Sequence, residues 1–382
     1  NRLSAGERDL WLVEPDGEGL RRLTDLPGSS VEPQWSADGR YIAFIHSNLF
    51  ESPDVWQVEV AGPPVDQDAE AEADTVSDVD PEPRPSTRSM PEAWTPAAQA
   101  GAEHVIFKNA GNVDVHAYLY RPPGARPGSA ADGDPQTFPA LIWLHGGPMH
   151  QMRYGWHPMI PYARFDAVNQ WLQQQGYVVL ALNYRGGIGY GQAYEQANHM
   201  AFLDIPLQDV IYGARYLKDL PFVDAGRVGV WGLSYGGYLA LGAMAKHPGE
   251  FRVGVNVAGI WDLARTLHRA EGRFRGAAGY VTVKLGGEEH VSPHIWAPAS
   301  PRNYVEQITG PLVNFHGTDD ASVEFEQLNQ LVGDLVAQGK EFEAHYYPGE
   351  AHIFKYRQTW RDFLPKLVRA LDRHLQEEDI SE

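Results

Sequence analysis

The sequence predicts an α/β protein with a mostly parallel, doubly wound sheet, preceded by a small all-β segment. Three observations predict it. From His104 onward, short apolar runs alternate with longer helical stretches. Runs such as Val178–Leu182 (VVLAL) and Val228–Leu233 (VGVWGL) show no polar alternation, so both faces of those strands are covered, as in a parallel sheet flanked by helices. The first 62 residues instead carry short strands bounded by Pro-Asp-Gly and Asp-Gly turns.

In chain order, Asp9–Glu14 alternates and turns at Pro15-Asp16-Gly17. The Asp38-Gly39 turn feeds an apolar strand over Tyr41–Ile45, and Val55–Val60 makes another. The stretches LWLVEPDGEGLRRLT and PQWSADGRYIAF resemble one blade of a TolB-like β-propeller. One blade cannot bury both faces alone, so residues 1–62 read as the remnant of a longer propeller. Trp11, Trp35 and Trp56 are read as blade packing. Residues 63–103 form the next segment. Val65–Glu82 holds eight acidic residues, no Lys or Arg, and leads into Pro83 and Pro85. Such a stretch buries too little apolar surface to offset its ordering entropy and reads as a solvated linker. Residues 104–382 form the large domain. Its expected strands are Val113–Arg121, Ala140–Leu144, Tyr177–Leu182, Arg227–Trp231, Val253–Val257, Leu312–Phe315 and Glu343–Tyr347. Its expected helices are Asp166–Gln175, Asp209–Leu220, Tyr235–His247, Val323–Gln338 and Thr359–Leu375.

Composition excludes some classes. The chain of 382 residues carries 31 Lys and Arg against 50 Asp and Glu, a formal net charge of −19. That surface repels nucleic acid and anionic membranes. With no cysteine there is no disulfide, zinc–thiolate site or cysteine nucleophile, and the redox compartment stays open. No apolar run approaches the roughly 18–20 residues that span a bilayer. The chain opens on Asn1 rather than Met, so it is expected to start inside a longer product.

Gly232-Leu233-Ser234-Tyr235-Gly236 lies between an apolar strand and a helix. This is G-x-S-x-G in the strand–turn–helix setting of a nucleophile elbow, the mark of an α/β-hydrolase fold. Two glycines let strand and helix approach closely, and the turn lifts Ser234 off the sheet edge. The later triad members should follow as acid, then His, at successive strand ends. The strand Leu312–Phe315 runs into His316-Gly317-Thr318-Asp319-Asp320, and the strand ending at Tyr347 runs into Pro348-Gly349-Glu350-Ala351-His352. His352 is the candidate base; Asp319 and Asp320 are both candidates for the acid, and spacing does not separate them. Gly146 and Gly147, after the strand ending at Leu144, would supply a backbone N–H to an oxyanion, joined by that of Tyr235.

The histidines at 145, 150 and 157, and the pair His290 and His294, have no carboxylate spacing that makes a metal site, so no metal or cofactor is expected. Gly186–Gly191 lacks the Lys or ribose-binding acid of a phosphate loop and reads as loop architecture, with Arg185 positioning its neighbours and standing as a candidate substrate-binding residue.

The chain resembles the prolyl oligopeptidase family of serine peptidases, in its acylaminoacyl-peptidase and dipeptidyl-peptidase-like branches. The motifs that carry the resemblance are HGGP (145–148), NYRGGIGYG (183–191), GLSYGG (232–237), SPRNYVEQITGPLVNFHGTDD (300–320) and GEAHIF (349–354). The family's acid sits four residues after the His of its H-G-x-x-D motif, which implies Asp320 over Asp319; Ala321 departs from the acidic residue common there. The resemblance implies a triad of Ser234, Asp320 and His352, oxyanion donors within Gly146–Gly147 and at Tyr235, and a specificity-pocket wall that includes Tyr235, Trp261 and Val323. The substrate it implies is a peptide or ester, with no nucleic-acid or membrane partner; a homo-oligomer is compatible with it. Beside this reading stand a carboxylesterase on the same fold and, from another class, a non-catalytic binding module. The resemblance implies a full propeller over the site. With one blade here, the chain is either a fragment of a longer enzyme or a natural short form, and only if the cover is missing is an open site that admits bulkier esters or peptides expected.

Overall fold

The computed structural model describes residues 6–60, 82–91, 101–125, 137–268 and 275–376. The chain divides into two compact units, Asn1–Ala102 with Arg153–Val168, and Glu103–Met152 with Asn169–Glu382.

The first unit holds two small antiparallel sheets. β1 (Trp11–Leu12) pairs with β2 (Arg21–Arg22). β3 (Ser29–Trp35), β4 (Tyr41–Ser47), β5 (Asp54–Glu59) and β6 (Arg84–Pro85) follow in spatial order. The Asp38-Gly39 turn joins β3 to β4 as its sequence demands: Gly39 takes φ 71° and Ser36 Oγ donates to Asp38 Oδ1 at 2.6 Å. Leu10, Leu23, Ile42, Phe44 and Val58 form the core, with Trp56 packed beside them. Trp35 departs from its expected packing role. It is 56% exposed, because the far end of β3 leaves the covered part of the sheet. The stretch expected as linker supplies β6, which pairs with β5; most of the remainder lies outside the described residues.

The second unit is built on an eight-stranded sheet of β7 (Ala102–Lys108), β8 (Asp114–Tyr120), β9 (Phe138–Leu144), β10 (Val178–Asn183), β11 (Val223–Leu233), β12 (Gly254–Val257), β13 (Leu312–Gly317) and β14 (Phe342–Tyr347). The spatial order is β14-β13-β12-β11-β9-β10-β8-β7. From β14 to β10 every pair is parallel, and β8 runs antiparallel to β10. Every residue of β9, β10, β12 and β13 is buried, which accounts for the unbroken apolar runs.

The long helices are α1 (Ile160–Gln174), which crosses between the two units in sequence, α3 (Asp204–Lys218), α4 (Tyr235–Lys246), α8 (Glu326–Ala337) and α9 (Arg357–Leu375). Shorter helices α2 (Gln192–Gln196), α5 (Leu263–His268), α6 (Arg275–Lys284) and α7 (Pro293–Ala299), and a 3-10 segment over Pro301–Gln307, were not expected from the sequence. They lack a sustained apolar period and are set by what they pack on. α4 is apolar on all sides because it touches β9, β11, β12, α3 and the 3-10 segment at once. Burial on all sides fixes the direction in which its N-terminus points. None of the described helices is long and apolar enough to cross a membrane.

Candidate active site

Ser234 stands between the last residue of β11 and the first of α4 with φ 60° and ψ −118°, a conformation that costs a non-glycine residue about 1–3 kcal/mol. The surrounding backbone imposes it. Ser234 N–H donates to the Val257 carbonyl at 2.8 Å, tying the elbow to the end of β12. A Cβ at Gly232 would overlap the Gly236 backbone, and one at Gly236 would overlap the Leu144 carbonyl oxygen. Strand, turn and helix therefore meet at distances only glycine permits. Ser234 itself is half-buried, so it keeps a face to solvent.

The N–H of Tyr235 is the first of α4 and has no carbonyl within its own helix to bond. Its side chain points elsewhere. The ring is buried among Tyr184, Phe202 and Tyr238, and its hydroxyl donates to the Phe202 carbonyl at 2.5 Å. Tyr235 thus offers backbone to the site, not the pocket wall expected of its ring.

Gly146 and Gly147 follow β9, and Gly147 is exposed with φ 130°. The buried imidazole of His145 orients them. Its Nδ1 lies 2.7 Å from the Gly146 carbonyl oxygen and so carries the proton. In a trans peptide C=O and N–H point in opposite directions, so the Gly147 N–H faces away from that ring. Burial pushes the His145 pKa down to about 3, keeping it neutral. Tyr184 stacks on the ring and donates to the His145 carbonyl at 2.6 Å.

Asp320 and His352 meet. His352 Nδ1 lies 2.7 Å from Asp320 Oδ2. The Asp320 side chain is 0% exposed and that of His352 18%. Asp320 Oδ1 accepts the N–H groups of Ser322 and Val323 at 2.8 and 2.9 Å. Burial works against its charge, but hydrogen bonds from His316 and His352 outweigh it and hold the carboxyl well below the usual range. Asp319, the other candidate, is exposed and turned to solvent.

The loops bearing these two residues are laced together. Thr318 N–H bonds the Tyr347 carbonyl at 3.0 Å, and Thr318 Oγ1 accepts the Gly349 N–H at 2.9 Å. A Cβ at Gly317 would overlap the Glu350 carbonyl. The buried Glu350 carboxylate accepts the N–H groups of Lys355 and Tyr356 at 2.7 and 3.0 Å, closing the loop that carries His352. His316 and Glu350 lie within motifs legible in the sequence, yet neither receives a role there. Their tasks are hydrogen bonds across 4 to 7 positions, which spacing does not encode.

Three further expectations are corrected. Trp261 is 0% exposed; its indole N–H donates to Asp334 at 2.8 Å, and its backbone N–H to Gln327. It supports α8 and presents no face to a substrate. Val323 is buried, 3% exposed, and its backbone N–H bonds Asp320 Oδ1. Arg185 is engaged by Asp209, with Nε and Nη2 within 2.8–3.0 Å of the carboxylate. Asp209 also accepts the Arg185 N–H and the Asn109 side-chain amide, each at 2.8 Å. Arg185 therefore holds the 184–191 loop from within.

Ser234, the two-glycine loop, Asp320 and His352 all follow the carboxyl ends of parallel strands of one sheet, β11, β9, β13 and β14. That edge is where open α/β sheets bind ligands.

Comparison with known proteins gives a family and a fold. The family described as the prolyl oligopeptidase family matches residues 163–378. Mouse (Mus musculus) dipeptidyl peptidase 8 is 26% identical over 277 residues, covering 70% of this chain and 28% of that protein. Dipeptidyl aminopeptidase BIII of Pseudoxanthomonas mexicana is 25% identical over 244 residues, covering 64% of this chain and 34% of that protein. The chain thus spans about a third of these relatives. Among solved structures, a Mycobacterium tuberculosis puromycin-hydrolyzing peptidase superposes with a TM-score of 0.81 at 20% identity, covering 98% of this chain and 52% of that one. A Pyrococcus horikoshii acylaminoacyl peptidase gives 0.74 at 17%, covering 99% and 54%.

Proposed function

The chain belongs to the prolyl oligopeptidase family, and from that premise we propose that it is a serine hydrolase that cleaves peptide or acyl-peptide bonds through an acyl-enzyme on Ser234. The observation that carries the reading is the 2.7 Å contact between His352 Nδ1 and Asp320 Oδ2, at the sheet edge that also bears the strained Ser234 elbow.

The chemistry follows from that contact. An ionised Asp320 facing Nδ1 keeps the proton on that nitrogen and leaves Nε2 bare to act as base. Nε2 takes the Ser234 proton as the oxygen attacks the substrate carbonyl carbon. The carbonyl π pair moves to oxygen, where the backbone N–H groups of Tyr235 and the two-glycine loop receive the negative charge. The tetrahedral intermediate collapses, the C–N bond breaks, and the imidazolium returns its proton to the departing amine. Water then attacks the ester, with His352 again as base, and releases the acid and free Ser234. Asp320 stays ionised throughout.

The names of the relatives, dipeptidyl and acylaminoacyl peptidases, support short or N-blocked peptides as the substrate class. The test pairs a fluorophosphonate probe with acyl-alanine and alanyl-proline anilides. Labelling and anilide turnover, both abolished in Ser234→Ala, are expected. A folded sample that cleaves only p-nitrophenyl esters would overturn the peptidase reading, and one that never labels would overturn the hydrolase reading.

A further inference from the structure

We propose that His316 is a positioning residue for the acid of the triad, an inference that rests on the roles given above to Asp320 and His352. His316 lies on β13 and is 1% exposed. Its Nε2 is 2.8 Å from the Val323 carbonyl oxygen and 3.1 Å from Asp320 Oδ2. Both neighbours accept, so Nε2 carries the proton and shares it between them. Nδ1 is buried with no hydrogen-bond partner among the described residues. A proton there would have no acceptor, so the ring acts on its neighbours through Nε2–H alone.

This completes the set of donors around Asp320. A carboxylate has about four acceptor positions. Oδ1 takes two backbone N–H groups, and Oδ2 takes the imidazoles of His352 and His316. The carboxylate cannot turn about its Cβ–Cγ bond without breaking a bond at each oxygen. His316 also holds the Val323 carbonyl, and the Val323 N–H in turn holds Oδ1, so one ring braces both sides of the acid. Three titratable groups neighbour this pair along the two loops or on the adjacent strand. Asp319 is exposed, and the Glu350 carboxylate is turned to the N–H groups of Lys355 and Tyr356. Tyr346, across the ladder from His316, is also exposed.

Without the His316 donor, the charge on Oδ2 is shared with His352 alone. That favours the imidazolium, which cannot serve as base. The loss should therefore appear in kcat and in the acid limb of the rate profile, not in substrate binding.

The experiment compares His316→Phe, which keeps ring volume but has no donor, with His316→Gln, whose amide N–H reaches about where Nε2 stands. Anilide turnover is measured against pH. His316→Phe is expected to lower kcat by up to about 10²-fold at unchanged KM, and to move the acid limb to higher pH. His316→Gln is expected to recover most of both. If His316→Phe does not fold, His316→Asn replaces it, since its shorter amide cannot reach Oδ2. A donor-free variant with the parent's kcat and acid limb, or equal behaviour of Gln and Asn, overturns the inference. Asp320→Asn separates the two readings. If it retains turnover, the triad assignment fails. If it loses turnover while the donor-free variant keeps it, only the role of His316 fails.

Discussion

The backbone carbonyl of Glu350 accepts the N–H of Asp319 at 2.9 Å, so the loop that carries His352 is tied to the loop that carries Asp320. The two loops leave neighbouring parallel strands, β13 and β14, paired through His316↔Tyr346 and Gly317↔Tyr347. Strand register therefore sets the separation of Asp320 and His352. The Glu350 side chain then shapes the far side of the same turn through Lys355 and Tyr356. Glu350→Gln replaces one accepting oxygen with an amide that faces a donor. The expected result is a kcat loss of up to about 10²-fold at nearly constant KM, because small displacements of a reacting group are costly. Steady-state kinetics on an anilide substrate check it.

Asp320→Asn should lower kcat by about 10⁴-fold, by losing the charge and favouring the wrong imidazole tautomer. It should also change the pH dependence of stability. The native carboxyl is held below its ordinary value of 3.8, so its contribution is complete above that value and fades as pH falls through the native one. The gap in melting temperature between parent and variant should be widest near about pH 6 and narrow below 3.8. Thermal melts across this range test the sign.

Ser234→Gly should separate stability from activity. Glycine adopts the elbow's positive φ without strain, so the variant is expected to gain about 1 kcal/mol while losing all fluorophosphonate labelling. Urea unfolding at neutral pH supplies the number, and an unchanged or lower midpoint would contradict the claim of strain.

Two glycines of the second unit should respond oppositely to alanine. At Gly236 a methyl group would meet the Leu144 and His145 carbonyl oxygens, so α4 must shift off β9. The expected cost is at or above the upper end of about 1–3 kcal/mol, with activity lost. Gly333 lies inside α8, and a methyl group there would have none of the described residues beyond its own turn of helix within 4 Å. Alanine at this position should stabilise by about 0.5–1 kcal/mol. Parallel unfolding curves compare them.

Asp166 is buried on α1, where its Oδ2 accepts the His157 N–H at 2.7 Å. Burial pushes its pKa up to about 8 from 3.8, so stability falls as pH rises between these values. Asp166→Asn keeps an accepting oxygen and removes the titration. Its melting temperature should exceed the parent's most above about pH 8, and the difference should shrink toward about pH 4.

What the amino-acid sequence determined by itself is local. The elbow at Ser234 is decided within five residues, because strand, turn and helix collide unless Gly232 and Gly236 lack side chains. The buried strands declare themselves through runs with no polar face, and the Asp38-Gly39 hairpin through its turn chemistry. Asp320 and His352 were legible as residues at strand ends. Their 2.7 Å contact was not, since it spans 32 positions and depends on the pairing of β13 with β14. The tertiary structure alone decided that Asp319 faces water, that Trp261 and the Tyr235 ring are sealed into the core, and that His316 reaches Asp320 while Glu350 closes the loop that carries His352. Periodicity and motif spacing are properties of contiguous chain. Burial and hydrogen-bond geometry depend on which distant segments are packed alongside.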